Sequence, residues 1–401
     1  MRLPVVFILL SVMIDAMGIG LIIPVMPDLI REITGGDLAN AALWGGVLTT
    51  VFAVMQFLFG PVMGNLSDRF GRRPVLLITL AVMAADYVVM ALAGSIWLLF
   101  VGRIVGGITA ATQSTANAYM ADISEPGKKA QNFGLVGAAF GLGFVIGPLL
   151  GGILGEFGTR APFWAAAGLA GANVVLGYFV LTETVTDAIR RPFEWKRANP
   201  FGAFKSMREL PGIGRLFVVF FLYQVAFFVY PAVWAYFGHA RFGWNAGMIG
   251  LSLGLFGIMM AIVQGGLIRV ILHKLGERGT VIYGLVFDVF AFGALAFVTS
   301  GSVALILTPL AALGAVITPA LQGIMSQAVG DKRQGELQGA LTSVGAVAMI
   351  VSPMVMTFTF AQFTRDGAPI FFPGAPFLLS LGLIVLALFV FLLPQRKPVA
   401  A

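Results

Sequence analysis

The sequence predicts an all-α membrane protein, with twelve transmembrane helices in two six-helix pseudo-repeats. Three observations point there. Of 401 residues, 59% are hydrophobic and 11% charged, and the mean hydropathy of +0.95 excludes an ordinary water-soluble domain. The apolar residues form continuous runs close to the roughly 20 residues a helix needs to cross a bilayer, without the alternation of barrel strands. Basic residues are also sorted by side. With both termini cytoplasmic, twenty of the 25 Lys and Arg fall on that face and four (Arg31, Arg160, Arg241, Arg365) on the other, with Arg103 inside a span, as the positive-inside rule requires. The net charge of +7 is thus topological, and its dispersal over several loops argues against nucleic acid as a partner.

The first run, 3–26, carries Asp15 mid-span and has no clear small-residue cleavage site, so it is expected to be a retained helix rather than a signal peptide. The second and third, 43–66 and 74–94, flank Gly64-Asn65-Leu66-Ser67-Asp68-Arg69-Phe70-Gly71-Arg72-Arg73-Pro74. This charged run reads as a tight turn able to latch or release two helices: Gly64 allows close approach, Gly71 a permissive backbone, Pro74 a helix start, and Asp68 can pair with arginines. The fourth run, 96–121, places Gly106, Gly107, Ala110, Ser114 and Asn117 on the face of Arg103, small or polar groups that suit a cavity wall. In the fifth, 129–155, Gly143, Gly147 and Gly151 recur every fourth residue beside Gly152, making a flat face for a neighbouring helix, and Pro148 can bend the run. A sixth run, 161–182, completes an N-terminal half over 1–182.

Residues 183–212 hold Arg190, Arg191, Pro192, Glu194, Lys196, Arg197, Pro200 and Pro211, and are expected to be a solvated cytoplasmic linker. The C-terminal half, 213–401, has runs at 213–238, 246–272, 280–299, 302–329, 335–361 and 372–393. A shift of about 205 positions carries the charged turn onto His273-Lys274-Leu275-Gly276-Glu277-Arg278, where Gly276 and Arg278 match Gly71 and Arg73. Lys128-Lys129-Ala130-Gln131 similarly echoes Lys332-Arg333-Gln334-Gly335. Together the echoes predict parallel repeats around a central cavity near the bilayer midplane.

Asp15, Asp86, Arg103 and Asp288 fall well inside spans. Charge at that depth costs a few kcal/mol per residue, so these groups are expected to face a water-filled cavity or one another. A carboxylate in such a cavity has the chemistry of a proton carrier; the competing reading for each residue is a structural ion pair. Asp288 leads, because Phe287, Val289 and Phe290 offer no adjacent countercharge. Arg103 keeps its proton and is suited to pairing with a carboxylate or holding an anionic group. Gln56, Ser114, Asn117, Gln224, Gln264 and Gln322 are uncharged polar groups within spans that either hydrogen-bond a ligand or bridge helices. Phe220, Phe221, Tyr223, Phe227, Phe228 and Tyr230 in the seventh span suit stacking on a flat ligand or, more simply, packing.

Other classes fare poorly. The chain has no Cys, which removes disulfides, thiolate metal sites and cysteine nucleophiles. Gly250-Leu251-Ser252-Leu253-Gly254 has the spacing of a nucleophile elbow but lies inside an expected span, and the two histidines, His239 and His273, sit near span ends. No phosphate-binding Gly-x-x-x-x-Gly-Lys-Ser/Thr loop is present. The chain is therefore expected to be no enzyme, to hold no metal or cofactor, and to draw energy from an ion gradient.

The Gly64–Pro74 run resembles the signature loop of the major facilitator superfamily, with Asp68, Arg69, Gly71, Arg72 and Arg73 in the matching places. The fifth span resembles the glycine-proline signature of that superfamily's proton-coupled drug antiporters. More narrowly, Asp15-Ala16-Met17-Gly18 through Pro27, Asp86-Tyr87, Gly102-Arg103-Ile104-Val105, Pro319-Ala320-Leu321-Gln322 and Arg333 through Gly339 look like the tetracycline/proton antiporters over nearly the whole chain. That resemblance implies the major facilitator fold and export of an amphipathic, tetracycline-like drug, arriving as a magnesium chelate, in exchange for protons. It implies transport roles for Asp15, Asp86, Arg103 and Asp288 and gating roles for Asp68 and Arg72. It further implies a multi-pass protein of a bacterial inner membrane, here expected to act as a monomer in the lipid bilayer. One position departs: where Phe256-Gly257-Ile258 leads the family into a functional histidine, this chain has Met259-Met260. Met260 carries no proton and offers no nitrogen to a hard cation, which leaves open another drug substrate or, less in keeping with the fifth span, nutrient import.

Overall fold

The computed structural model describes residues 3–110, 112–125, 128–187, 190–195, 198–202, 207, 210, 212–330 and 333–393. Of the residues counted above for topology or the linker, Arg2, Lys196, Arg197, Lys205, Arg208, Pro211, Lys332, Arg396 and Lys397 lie outside the described residues. Among the described residues all regular structure is helical. Eleven helical stretches among the described residues are long and apolar enough to cross a membrane. One of them, Ala246–Phe297, is 52 residues long and turns at Gly276 (φ 65°, ψ 175°), so it holds two of the twelve expected spans.

The first half contains α1 (Leu3–Ile22), the short α2 (Met26–Thr34), α3 (Leu38–Phe70), α4 (Arg72–Leu92), α5 (Ile96–Thr109), α6 (Thr112–Ile123), α7 (Lys129–Gly155) and α8 (Ala161–Val180). The second contains α9 (Gly214–Phe227), α10 (Val229–Phe242), α11 (Ala246–Ile262), a π turn (Val263–Leu267), α12 (Ile268–Phe297), α13 (Gly301–Ala311), a 3-10 turn (Ala312–Val316), α14 (Ile317–Val329), α15 (Gln334–Thr364) and α16 (Ala375–Leu392). Side-chain caps set several starts: Asp37 accepts from the Asn40 N–H at 2.7 Å, and Ser95 from Leu98 at 3.3 Å.

Two expectations about the charged turn need correction. The second span does not end near residue 66; α3 stays helical to Phe70, and only Gly71 leaves helical geometry before α4. The turn is this short because Gly71 sits at φ 108°, where a side chain would be strained. Nor is Gly64 a point of close approach, since a Cβ there would meet nothing within 4 Å.

Chain contacts define two compact units: Met1–Pro200 with Trp244–Gly254, and Phe201–Gly243 with Leu255–Ala401. In the first, α1 packs on α7 and α8, α4 on α8 and α5, and α3 on α5. Phe7, Ile8, Val12, Leu80, Tyr119 and Met120 form its buried centre. The expected glycine face is realised on two sides. Gly143, Gly147 and Gly151 meet α1 at the carbonyls of Met13, Met17 and Leu21, while Gly152 lies against Ala246 and Gly250 at the start of α11. Backbone-to-backbone contact of this kind draws on dispersion between flat surfaces, the main attraction available between helices in lipid.

In the second unit, α9 packs on α16 and α15, and α12 on α16 and α14. The seventh-span aromatics are largely packing groups: Tyr230 stacks near Phe256 (4.9 Å between centroids), Phe292 (5.7 Å) and Phe377 (6.1 Å). Most described linker residues are exposed, with a few anchored against the first unit. Val185 and Ala198 are buried, Asn65 Nδ2 donates to the Glu194 carbonyl at 2.7 Å, and the Arg191 N–H donates to the Asp68 carbonyl at 3.3 Å. The linker thus supplies partners to the polar end of α3, which otherwise has unpaired backbone groups.

Candidate functional site

At the end of the first unit that carries the α3–α4 turn, Arg72 is the centre of a charged cluster. Its Nη1 lies 2.6 Å from Asp68 Oδ1 and donates to Ser67 Oγ at 2.6 Å, and its Nε lies 3.2 Å from Asp122 Oδ2. Thr184 Oγ1 donates to the same Asp122 oxygen at 3.0 Å. Glu183 then covers the start of α4, accepting from the N–H groups of Arg72 (2.9 Å) and Arg73 (3.3 Å). A carboxylate there satisfies two orphan donors and complements the helix dipole. Arg73 bonds the Tyr178 carbonyl at 2.8 Å and lies over the Tyr178 ring. Arg69 is exposed and lies over Phe70. The sequence reading missed Asp122 and Glu183, which come from separate spans; the only signal was a carboxylate just past each apolar run.

At the opposite end of this unit, Glu32 accepts from Thr159 Oγ1 at 2.6 Å and Arg160 Nη2 at 3.1 Å. The Thr159 hydrogen bond first, and the Arg160 hydrogen bond and charge after it, hold the Glu32 carboxyl below its ordinary value despite some opposing desolvation. Arg160 Nη1 also donates to the carbonyls of Ala91 and Ala93, both at 2.8 Å. Glu156, at the end of α7, accepts from the Gly247 N–H at 3.0 Å and so caps the start of α11.

Within the apolar thickness, Asp86 on α4 and Arg103 on α5 face each other at 3.8 Å, beyond the roughly 3.2 Å of a formed hydrogen bond. Arg103 instead contacts Met90 Sδ at 2.6 Å and lies over the Phe52 ring at 5.3 Å. Gly102 and Gly106 make room for Asp86: a Cβ on either would fall 2.8 Å from one of its carboxylate oxygens. Gly106 and Gly107 are therefore packing surfaces rather than the expected cavity wall, with Gly107 against Met55 and Phe52. Asp15 is half-buried on α1, and one turn on, Gly18 makes room for the Tyr87 hydroxyl.

In the second unit Asp288 is 4% exposed and faces Gly314 in the 3-10 turn, whose missing side chain leaves space for the carboxylate. No salt bridge joins Asp288 to a cation among the described residues. Asp15 Oδ1, Arg103 Nε and Asp288 Oδ2 are all buried without a hydrogen-bond partner. Three of the four charged residues placed in spans thus carry a buried polar atom that no protein group satisfies, a costly arrangement at this depth. The polar candidates are scattered: Gln56, Asn117, Gln224, Met260 and Gln322 are half-buried, while Ser114 and Gln264 are exposed, the latter in the π turn. Gln224 approaches Gly345 on α15. The structure brings Asp86 and Arg103 together, and Asp68 with Arg72.

A model of the Major Facilitator Superfamily matches residues 8–353. The class C tetracycline resistance protein of Escherichia coli is 43% identical over 356 residues, 89% of each chain. The class G protein of Vibrio anguillarum is 41% identical over 359 residues, 89% of this chain and 90% of that one. Among solved structures, the human organic anion transporter MFSD10 (TETRAN) aligns over 97% of this chain and 99% of that one, with a TM-score of 0.70 and 26% identity. The nucleoside transporter NupG shares the fold at a TM-score of 0.77 and 12% identity, over 97% of this chain and 98% of that one. Matched over most of its length by the superfamily model, and at about two residues in five by two resistance proteins, the chain belongs to the Major Facilitator Superfamily and resembles its tetracycline resistance members.

Proposed function

We propose that this protein is a secondary transporter that exports an amphipathic, tetracycline-like drug in exchange for protons by alternating access. The observation that carries the reading is the set of buried, unpartnered polar atoms on Asp15, Arg103 and Asp288 inside apolar spans, in a chain 43% identical to a tetracycline resistance protein. Asp288 and Asp15 act as proton carriers, with Asp86 held beside Arg103 as a third candidate; Arg103 takes an anionic group when one is present. The Asp68–Arg72–Asp122 cluster with Glu183 latches the α3–α4 turn and must loosen as the transporter cycles. The α7 glycine face allows α1 and the start of α11 to bear directly on α7. The drug arrives as its magnesium chelate, so the cation is cargo. We place the protein in a bacterial inner membrane as a monomer with both termini cytoplasmic, in line with the distribution of Lys and Arg.

A second substrate reading rests on Met260, a thioether where the resembled family has a functional histidine. It keeps proton exchange and changes the drug. The deciding experiment is proton release from acid-loaded inverted vesicles on adding tetracycline with magnesium, against vesicles lacking the protein. Drug-dependent release establishes tetracycline exchange; its absence, with the protein inserted, overturns tetracycline as substrate and directs the assay to other amphipathic cations.

A further inference from the structure

The two repeats finish their charged turns differently. In the first unit Gly71 precedes α4, Arg73 lies 5.4 Å over the Tyr178 ring near the end of α8, and the Glu183 carboxylate closes the space beside them. In the second unit the same parts recur: Gly276 carries the positive φ of 65°, and Arg278 lies 5.8 Å over the Phe391 ring near the end of α16. No carboxylate stands beside this glycine among the described residues: a Cβ on Gly276 would meet nothing within 4 Å, whereas one on Gly71 would meet Glu183. In its place the second unit has a cavity of about 560 Å³, lined by Arg215, Gly276, Glu277, Arg278, Gln327 and Phe391 among others.

The cavity is cationic and lies at span ends. Arg215 is the second residue of α9, and Phe391 the penultimate residue of α16, so the opening is level with the rim of the apolar helices, on the face rich in Lys and Arg. Arg215 spends one donor on the Leu393 carbonyl, leaving the rest of its guanidinium for a ligand. The single acid, Glu277, is engaged by Gln327 Nε2 at 2.9 Å.

We infer that this cavity binds the phosphate of an anionic phospholipid from the cytoplasmic leaflet, which takes the place that Glu183 fills in the first unit. Two arginines beside an apolar wall of Leu216, Leu272 and Ile324 suit a headgroup phosphate above an acyl chain. The site is separate from the carboxylates assigned to proton exchange, so it stands or falls without that reading.

The test is native mass spectrometry of the full-length protein in detergent, titrated with phosphatidylglycerol or with phosphatidylcholine. Phosphatidylglycerol should bind the wild type preferentially. The double variant Arg215→Gln/Arg278→Gln should lose that preference by about tenfold or more, each arginine near the membrane surface being worth roughly fivefold. Glu277→Gln, which keeps an acceptor for Gln327 while removing the negative charge, should tighten binding and shows that the response follows charge rather than damage. Equal phosphatidylglycerol binding by wild type and double variant would overturn the site. Displacement of the lipid by millimolar inorganic phosphate would instead overturn the lipid as occupant and assign the cavity to free phosphate.

Discussion

Replacing Gly314 with Ala tests whether the space around Asp288 is part of the transport machinery. A Cβ at this position would overlap Asp288 Oδ1 and stand 2.6 Å from its Cγ, and ordinary van der Waals contact begins near 3.4 Å, so the carboxyl group must retreat by more than about 0.8 Å or the 3-10 turn must shift. Functional groups need to be held within roughly 0.5 Å of their working geometry. A single methyl group therefore exceeds the tolerance while adding an overpacking cost of about 1–3 kcal/mol, which a folded protein can bear. Proton-driven uptake into inverted vesicles, normalised to inserted protein, should fall by about tenfold or more, close to the level of Asp288→Asn. Gly345→Ala is the control, since its Cβ would lie 4.0 Å from Gln224 Nε2 and fit without movement. Wild-type flux in Gly314→Ala would refute the argument, as would full flux in Asp288→Asn.

Gly71→Ala places a side chain at φ 108° and pushes on the Glu183 carboxylate; with backbone strain of about 1–3 kcal/mol, turnover per inserted molecule should drop, and normal turnover would reduce the turn to a topological feature. Gly151→Leu forces α7 away from the Leu21 carbonyl, so detergent-solubilised protein should unfold several degrees lower; an unchanged melting curve would show that α1 and α7 do not need this contact. Glu32 is held below its ordinary value of 4.5, chiefly by Thr159, so its stabilising contribution is present above that pH and lost as pH falls through the depressed value. Being exposed, it should give a small difference in melting temperature between wild type and Glu32→Gln at pH 7 that closes as pH falls below the ordinary glutamate range; a difference that grows on acidification would contradict the sign.

The presence of many membrane-length helices was legible because hydrophobic length is a property of the chain itself. The fifth-span glycines were legible as a face, since i, i+4 spacing fixes which residues share it. What they touch was not. The same limit hid Glu183 and Asp122, whose role exists only where three separate segments meet at Arg72. It hid Gly102 and Gly314 as well, since a glycine that makes room for a carboxylate on another helix looks like any other membrane-span glycine. The error at Gly64 has the opposite origin: a glycine in a small-residue setting was read as a contact, and the neighbouring helix is not there. The linker's charge was legible from composition, but its hydrogen bonds to the end of α3 were not, since they depend on where Asn65 and Asp68 lie in the fold.

Trp244–Gly254 is counted with the first unit although it follows the linker in sequence. A fragment ending at Pro200 would lack the surface that meets Gly152 and the N–H that binds Glu156. Chimaeras that join the first half of one relative to the second half of another are therefore constrained at a seam far from the splice. Such hybrids should fail on a bulky residue at position 152 or 250, where the two glycines leave no room for a side chain.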